Sequence, residues 1–162
     1  MIVGVLSDTH GRLPAIAAAL VEFHRRKAEL LIHCGDIDSA ETVGEFQGWN
    51  VHFVLGNCDW DREGIRAAIA EIGGSLHEPF GHLELDRVQI AWAHGHQPDV
   101  LGDLERADHY DFLFYGHTHV AEQHRAGKTV VVNPGALQRT RTKSCLTLDT
   151  AKRKLSTIVL DV

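Results

Sequence analysis

Five short apolar runs punctuate the first two thirds of the chain: Ile2 to Leu6, Leu30 to His33, Val51 to Leu55, Val88 to Ala93 and Phe112 to Tyr115. Rich in Val, Ile, Leu and Phe, they suit strands covered on both faces, although periodicity alone does not separate them from buried helix. Between them the apolar period lengthens to three and four residues. Pro14 opens a first helix whose inward face carries Ile16, Leu20, Phe23 and, less cleanly, Val21. Asp38 or Ser39 caps a second with Val43 and Phe46, and Asp61 caps a third with Ile65, Ile69 and Ile72, stopped by Gly73 and Gly74. Pro98 opens a fourth, with Leu101 and Leu104 inward. Helices then become scarce, and Leu83 to Leu85, Thr129 to Val132, Leu146 to Leu148 and Leu155 to Leu160 read as strands. The expectation is an α/β protein with two facing sheets and outer helices, the early parallel strands forming one sheet and the later strands completing the second.

Each of the five runs ends on polar residues with metal-ligand chemistry. They deliver Asp8 and His10, Asp36, Asn57, His94, and His117 and His119 in turn. Ligands of open α/β sheets collect at the carboxyl ends of strands, where these residues would lie. Asp36 is the natural bridging carboxylate, because its strand lies between those bearing other ligands. Two divalent cations held by two carboxylates keep a formal charge of about +2, which attracts a phosphate and activates a bound water as an in-line nucleophile. Asp, Asn and His without thiolates favour Mn, Fe, Zn, Ni or Co over a structural zinc set.

Composition narrows the field. A chain of 162 residues, 44% hydrophobic, is expected to form one domain over residues 1–162, with no linker, repeat or membrane-length apolar stretch. Cys34, Cys58 and Cys145 make neither an even set nor a CxxC pair, so reduced thiols and a cytoplasmic location are expected. The formal charge of −6 and scattered Lys and Arg speak against a nucleic-acid partner. The basic cluster Arg25-Arg26-Lys27 suits a helix C-terminus. A homo-oligomer is compatible with the sequence.

The blocks Asp8-Thr9-His10, Gly35-Asp36, Gly56-Asn57-Cys58-Asp59, His94-Gly95-His96 and Gly116-His117-Thr118-His119 resemble, in order, the DxH, GD, GNH(D/E), H and GHxH motifs of the calcineurin-like metallophosphoesterase superfamily. Asn133-Pro134-Gly135 resembles the NPG turn of its small prokaryotic phosphodiesterases, in which GNCD is a familiar variant. The resemblance implies a four-layer αββα sandwich of two mixed sheets. It implies that Asp8, His10, Asp36 and His119 hold one cation and that Asp36, Asn57, His94 and His117 hold the other, with manganese first among the metals. The implied activity is hydrolysis of small or activated phosphodiesters, with Asp36, Asn57, His94, Cys58 and His96 as the catalytic set.

Two positions depart from the family pattern: Cys58 stands where many relatives carry a proton-donating histidine, and Ala136 where the small subfamily often has Ser. A thiol with an ordinary pKa of about 8.5 offers a leaving alkoxide no positive charge, so activated esters should react best. His96 is either a substitute donor or phosphate contact, or an outer-shell histidine. Arg12 is either a phosphate contact or a solvated loop residue. Trp60 is expected to pack beneath its loop, Cys34 and Cys145 to be buried, and His24, His52, His77, His82, His109 and His124 to lie outside the site. The rival functions are a non-catalytic scaffold like the retromer subunit of similar fold, a phosphomonoesterase or nucleotidase, and a nuclease. Retention of Asp36 speaks against the scaffold, and length and acidic charge against the nuclease.

Overall fold

The structure is a computed structural model and describes all 162 residues. In chain order its elements are β1 (Ile2–Leu6), α1 (Leu13–Arg25), β2 (Leu30–His33), α2 (Ala40–Gly44), β3 (Val51–Val54), α3 (Arg62–Glu71), β4 (Ser75–His77) and β5 (Phe80–Leu85). There follow β6 (Val88–Ala93), α4 (Pro98–Arg106), β7 (Phe112–Phe114), β8 (Glu122–Ala126), β9 (Thr129–Asn133), β10 (Lys143–Asp149) and β11 (Lys154–Leu160). One sheet has the order β11-β10-β1-β2-β3-β4 and the other β5-β6-β7-β9-β8.

Three buried clusters fill the three spaces between four layers. Val3, Val5, Leu30, Ile32, Ile90, Trp92, Phe112 and Phe114 interdigitate between the sheets. Alternate strand residues point the other way. Leu6 and Leu31 meet Ile16, Ala19 and Phe23 of α1 and Ile65 and Ile69 of α3. Ala91, Ala93 and Leu113 meet Leu104 of α4. Gly4 on β1 is required by this close packing, since a Cβ would come within 2.6 Å of Leu31 Cδ2 and 2.9 Å of Phe23 Cδ1. Truncating Phe23 to Ala would cost about 3–5 kcal/mol.

Ser39 caps α2 through Thr42 N, and Asp61 caps α3 through Gly64 N. Three expectations need correction, and two strands had no sequence signal. The late strands do not simply complete the second sheet: β10 and β11 return to the first, β10 pairing antiparallel with β1 in the register Ile2↔Asp149. Strands β4 and β8 carry no apolar run, and edge pairing with β3 and β9 is what extends them. Val21 is 51% exposed on the outer side of α1. Trp60 does not pack beneath its loop but stands 85% exposed.

Candidate metal centre

β1, β2 and β3 run parallel in the first sheet, β6 and β7 parallel in the second, and the loops leaving their carboxyl ends converge. The backbone turns sharply there. Asp8, His10, Asp36, His117 and His119 all adopt left-handed φ values, between +40° and +71°. Such a conformation costs a non-glycine residue roughly 1–2 kcal/mol, so the surrounding contacts must hold it.

Those contacts are visible. Asp8 N donates to Gly35 O at 3.0 Å and His10 N to Asp36 O at 3.0 Å, joining the first two loops. The buried Asp59 carboxylate accepts four backbone N–H groups: Asp36 and Gly56 on Oδ2 at 3.0 and 2.7 Å, Ile37 and Asp38 on Oδ1 at 2.7 and 2.9 Å. His33, wholly buried, accepts from Gly35 N at 3.1 Å and meets Thr9 Oγ1 at 3.0 Å, and burial pushes its pKa down to about 3. Sequence reasoning assigned neither Asp59 nor His33 a role. The only signal for Asp59 was its place as the fourth residue of the GNCD block. Gly56 and Gly116 are needed for close approach: a Cβ on the first would overlap Asp36 Oδ1, and on the second Ser7 Oγ and Asp8 Oδ2.

Asp8, His10, Asp36 and His119 bring one donor atom each within 4.8 Å of one another. His119 Nε2 lies 3.2 Å from Asp8 Oδ1 and 3.3 Å from His10 Nε2, which is 3.6 Å from Asp36 Oδ2. A second group adjoins the first through Asp36. His94 Nε2 sits 3.4 Å from Asp36 Oδ2 and 3.1 Å from Asn57 Oδ1, while His94 Nδ1 donates to Cys34 O at 2.8 Å, which aims the other ring nitrogen inward. The His117 ring is 5.2 Å from that of His94, and its backbone N–H donates to Asp8 Oδ2 at 3.0 Å.

Electrostatics follow from crowding. Burial raises the Asp8 carboxyl, opposed by His94 and Ser7. Burial also pushes Asp36 upward, but hydrogen bonding and charge from His94, with Cys58 N and His10, hold it below the usual carboxylate range. His94 is correspondingly raised, the Asp36 partner outweighing burial, whereas burial lowers His10. Two buried carboxylates, an amide oxygen and inward imidazole nitrogens form a donor set that fits divalent cations of the first transition row.

The rim is more exposed. Cys58 is half-buried, its thiol raised by burial and by Asp36, and its Sγ lies 4.0 Å from Arg139 Nη1. His96, its ring 5.3 Å from His94, is lowered by burial and helps line a cavity of about 370 Å³ with Arg62, Glu78 and Gln97. Arg12 is exposed, as are His24, His82, His109 and His124, while His52 and His77 stack on each other away from the centre. Cys34 and Cys145 are buried thiols.

Known proteins resemble the chain in both sequence and fold. Phosphodiesterase MJ0936 of Methanocaldococcus jannaschii is 32% identical over 166 residues, covering 99% of this chain and 100% of the relative. The structure of an archaeal phosphodiesterase superposes with a TM-score of 0.91 at 32% identity, covering 99% of this chain and all of that one. Zinc-complexed Vps29 of Entamoeba histolytica shares the fold at a TM-score of 0.68 and 19% identity, covering 100% of this chain and 98% of that chain. Residues 1–153 match the calcineurin-like phosphoesterase superfamily domain, and the chain belongs to that superfamily.

Proposed function

We propose that the chain is a binuclear metal-dependent phosphodiesterase acting on small or activated phosphodiesters. The observation that carries this reading is the sharing of Asp36 between two donor groups: Asp8, His10 and His119 on one side, Asn57 and His94 on the other, with His117 beside His94. A carboxylate with one donor group on each side is the geometry of a bridge between cations. Manganese is the first candidate, with Fe, Zn, Ni or Co as alternatives. When bound, the pair would supply charge neutralisation for the phosphate and activation of water.

The chain's own residues do the rest. Asp59 fixes the Asp36 and Gly56 backbones, so the bridging carboxylate and the Asn57 amide keep their separation. The Cys34 carbonyl holds the His94 ring in one orientation. Cys58 is a neutral thiol at pH 7 because burial and Asp36 raise it, so it is a poor proton donor and carries no charge. The guanidinium of Arg139 next to it adds positive charge at the rim but is no proton donor to a leaving alkoxide, and His96 flanks His94. Activated leaving groups are therefore favoured. MJ0936, the relative that matches along its whole length, is named a phosphodiesterase, which supports the same substrate class.

The test is manganese-dependent hydrolysis of bis(p-nitrophenyl) phosphate by the wild-type protein and by Asp36→Asn. Turnover abolished by the substitution supports the reading, and folded protein inert with Mn, Ni, Co and Zn alike overturns it. An outward apolar surface of Val21, Val159 and Val162, exposed by 51, 66 and 50%, lies on α1 and the end of the chain. It gives a scaffold or self-association reading its one specific support. That surface leaves every ligand in place, so it is compatible with catalysis and secondary to it.

A further inference from the structure

The largest cavity in the molecule, about 620 Å³, is not at the metal centre. It opens between the unpaired edge strands β8 and β11, beside Asp111 and Phe112 at the amino-terminal end of β7, the end opposite the one that feeds His117. Five cationic side chains line it: Arg125, Lys128, Lys152, Arg153 and Lys154. The whole chain has 16 Lys and Arg against 22 Asp and Glu, so nearly a third of its positive charge converges on one cleft of an acidic protein. The sequence reading of scattered basic residues fails here, because the β8–β9 and β10–β11 turns carry the cations separately and only the sandwich brings them together.

The charge is largely uncompensated. Asp111, the lining carboxylate, is taken by Arg153 Nη1 at 2.7 Å, and Asp149 by Lys152 at 3.6 Å. Arg125, Lys128 and Lys154 form no ion pair, and Asp108 is engaged with the Lys128 backbone N–H. The arginines are also oriented in advance. Arg153 is held by Asp111 and by the Arg87 carbonyl at 3.3 Å, and Arg125 donates to Lys128 O at 3.3 Å. Like charges are brought together in this way at a cost in repulsion that a bound anion relieves. Phe112, Val130 and Leu155 give the cleft an apolar floor.

We infer that this cleft binds a small polyphosphate anion, with room on the apolar floor for an organic group such as a nucleoside. Planar guanidiniums grip phosphate oxygens in pairs, and lysines add mobile point charge. A nucleic-acid polymer fits less well, because the positive charge is confined to one cavity and does not continue as a track. The inference is independent of the phosphodiesterase reading.

The test is calorimetric titration of the metal-loaded full chain with tripolyphosphate and with ATP, both with magnesium in excess so that the metal centre is not stripped. Wild-type protein is compared with the Lys128→Ala/Lys154→Ala double variant, whose side chains make no ion pair and whose melting temperature should be preserved. Any binding at the metal centre is common to both proteins. A site in the wild type weakened at least about tenfold in the variant supports the proposal. Equal weakening for both ligands assigns recognition to the polyphosphate, and tighter ATP binding adds the apolar floor. Affinity unchanged by the double substitution, no binding at millimolar ligand, or binding only of a single-stranded oligonucleotide with a steep salt dependence overturns it.

Discussion

The two sheets bring unlike loops to the metal centre. Those after β1, β2 and β3 are knitted together, with four backbone N–H groups on the Asp59 carboxylate and two loop-to-loop bonds from Asp8 N and His10 N. The loop after β7 is suspended by fewer outside contacts: Gly116 N on His94 O at 2.9 Å, His117 N on Asp8, and the Asn133 amide donating to Gly116 O and Thr118 Oγ1, both at 3.0 Å. His117 and Thr118 are exposed, whereas Asp8 and Asp36 are buried. The candidate oxygen donors are thus fixed by the fold, while the position of the imidazoles from β7 depends on one of those same carboxylates. Preorganisation is concentrated on one side.

Asp36 belongs to both donor groups, so Asp36→Asn should have the largest effect: a fall in diester turnover of at least about a thousandfold, or about 4 kcal/mol. A comparable loss in His117→Gln, measured under the same metal saturation, would erase the contrast between the two sides. Next comes Asp59→Ala, which strands four backbone donors, three of them buried, and should lower stability by about 3 kcal/mol or more in denaturant unfolding. Asn133→Ala frees the suspended loop and also strands the Gly135 N–H that donates to Asn133 Oδ1 at 2.9 Å. About 1–2 kcal/mol of stability and roughly tenfold weaker metal affinity are expected, read by denaturation and metal titration. If Asn133→Ala proved the more damaging of the two, the suspended loop would be the true organiser.

The smallest effect concerns pH and lies away from the centre. His52 is lowered from 6.5 to about 4, mainly by burial and then by His77. The unfolded chain therefore takes up a proton before the native protein does. The stability tied to neutral His52 is complete above about pH 6.5 and is lost as pH falls from there through about 4. His52→Gln should melt with a shallower acid dependence than wild type between pH 7 and 5, and an unchanged slope would remove His52 from the account.

What the sequence revealed depended on how each residue acts. Asp8, His10, Asp36, Asn57, His94, His117 and His119 carry side chains with metal-ligand chemistry at strand ends, so order and spacing pointed to them. Asp59 and His33 act by holding backbone N–H groups, which any of several polar residues can resemble in a bare sequence. The helices with caps and periodic faces were legible, but Val21 was misplaced because its position borders the apolar stripe of α1. Strand β8, Glu122–Ala126, is polar and exposed, and it forms by pairing with β9 rather than by burial. The return of β10 and β11 to the first sheet is a choice of neighbours, about which local pattern says nothing. For the same reason the five cations around Asp111 could be found only in three dimensions.

The placement of β10 beside β1 also bears on synthesis. A ribosome delivers the amino-terminal side first, so Ile2 to Val5 wait for their partners Asp149 to Leu146, which are made much later. Asp8 likewise waits 109 residues for the backbone N–H of His117. Long waits of this kind are characteristic of domains that close late. The nascent chain therefore presents Asp8, His10 and Asp36 before His94, His117 and His119 exist, and the candidate donor set is complete only in the finished fold.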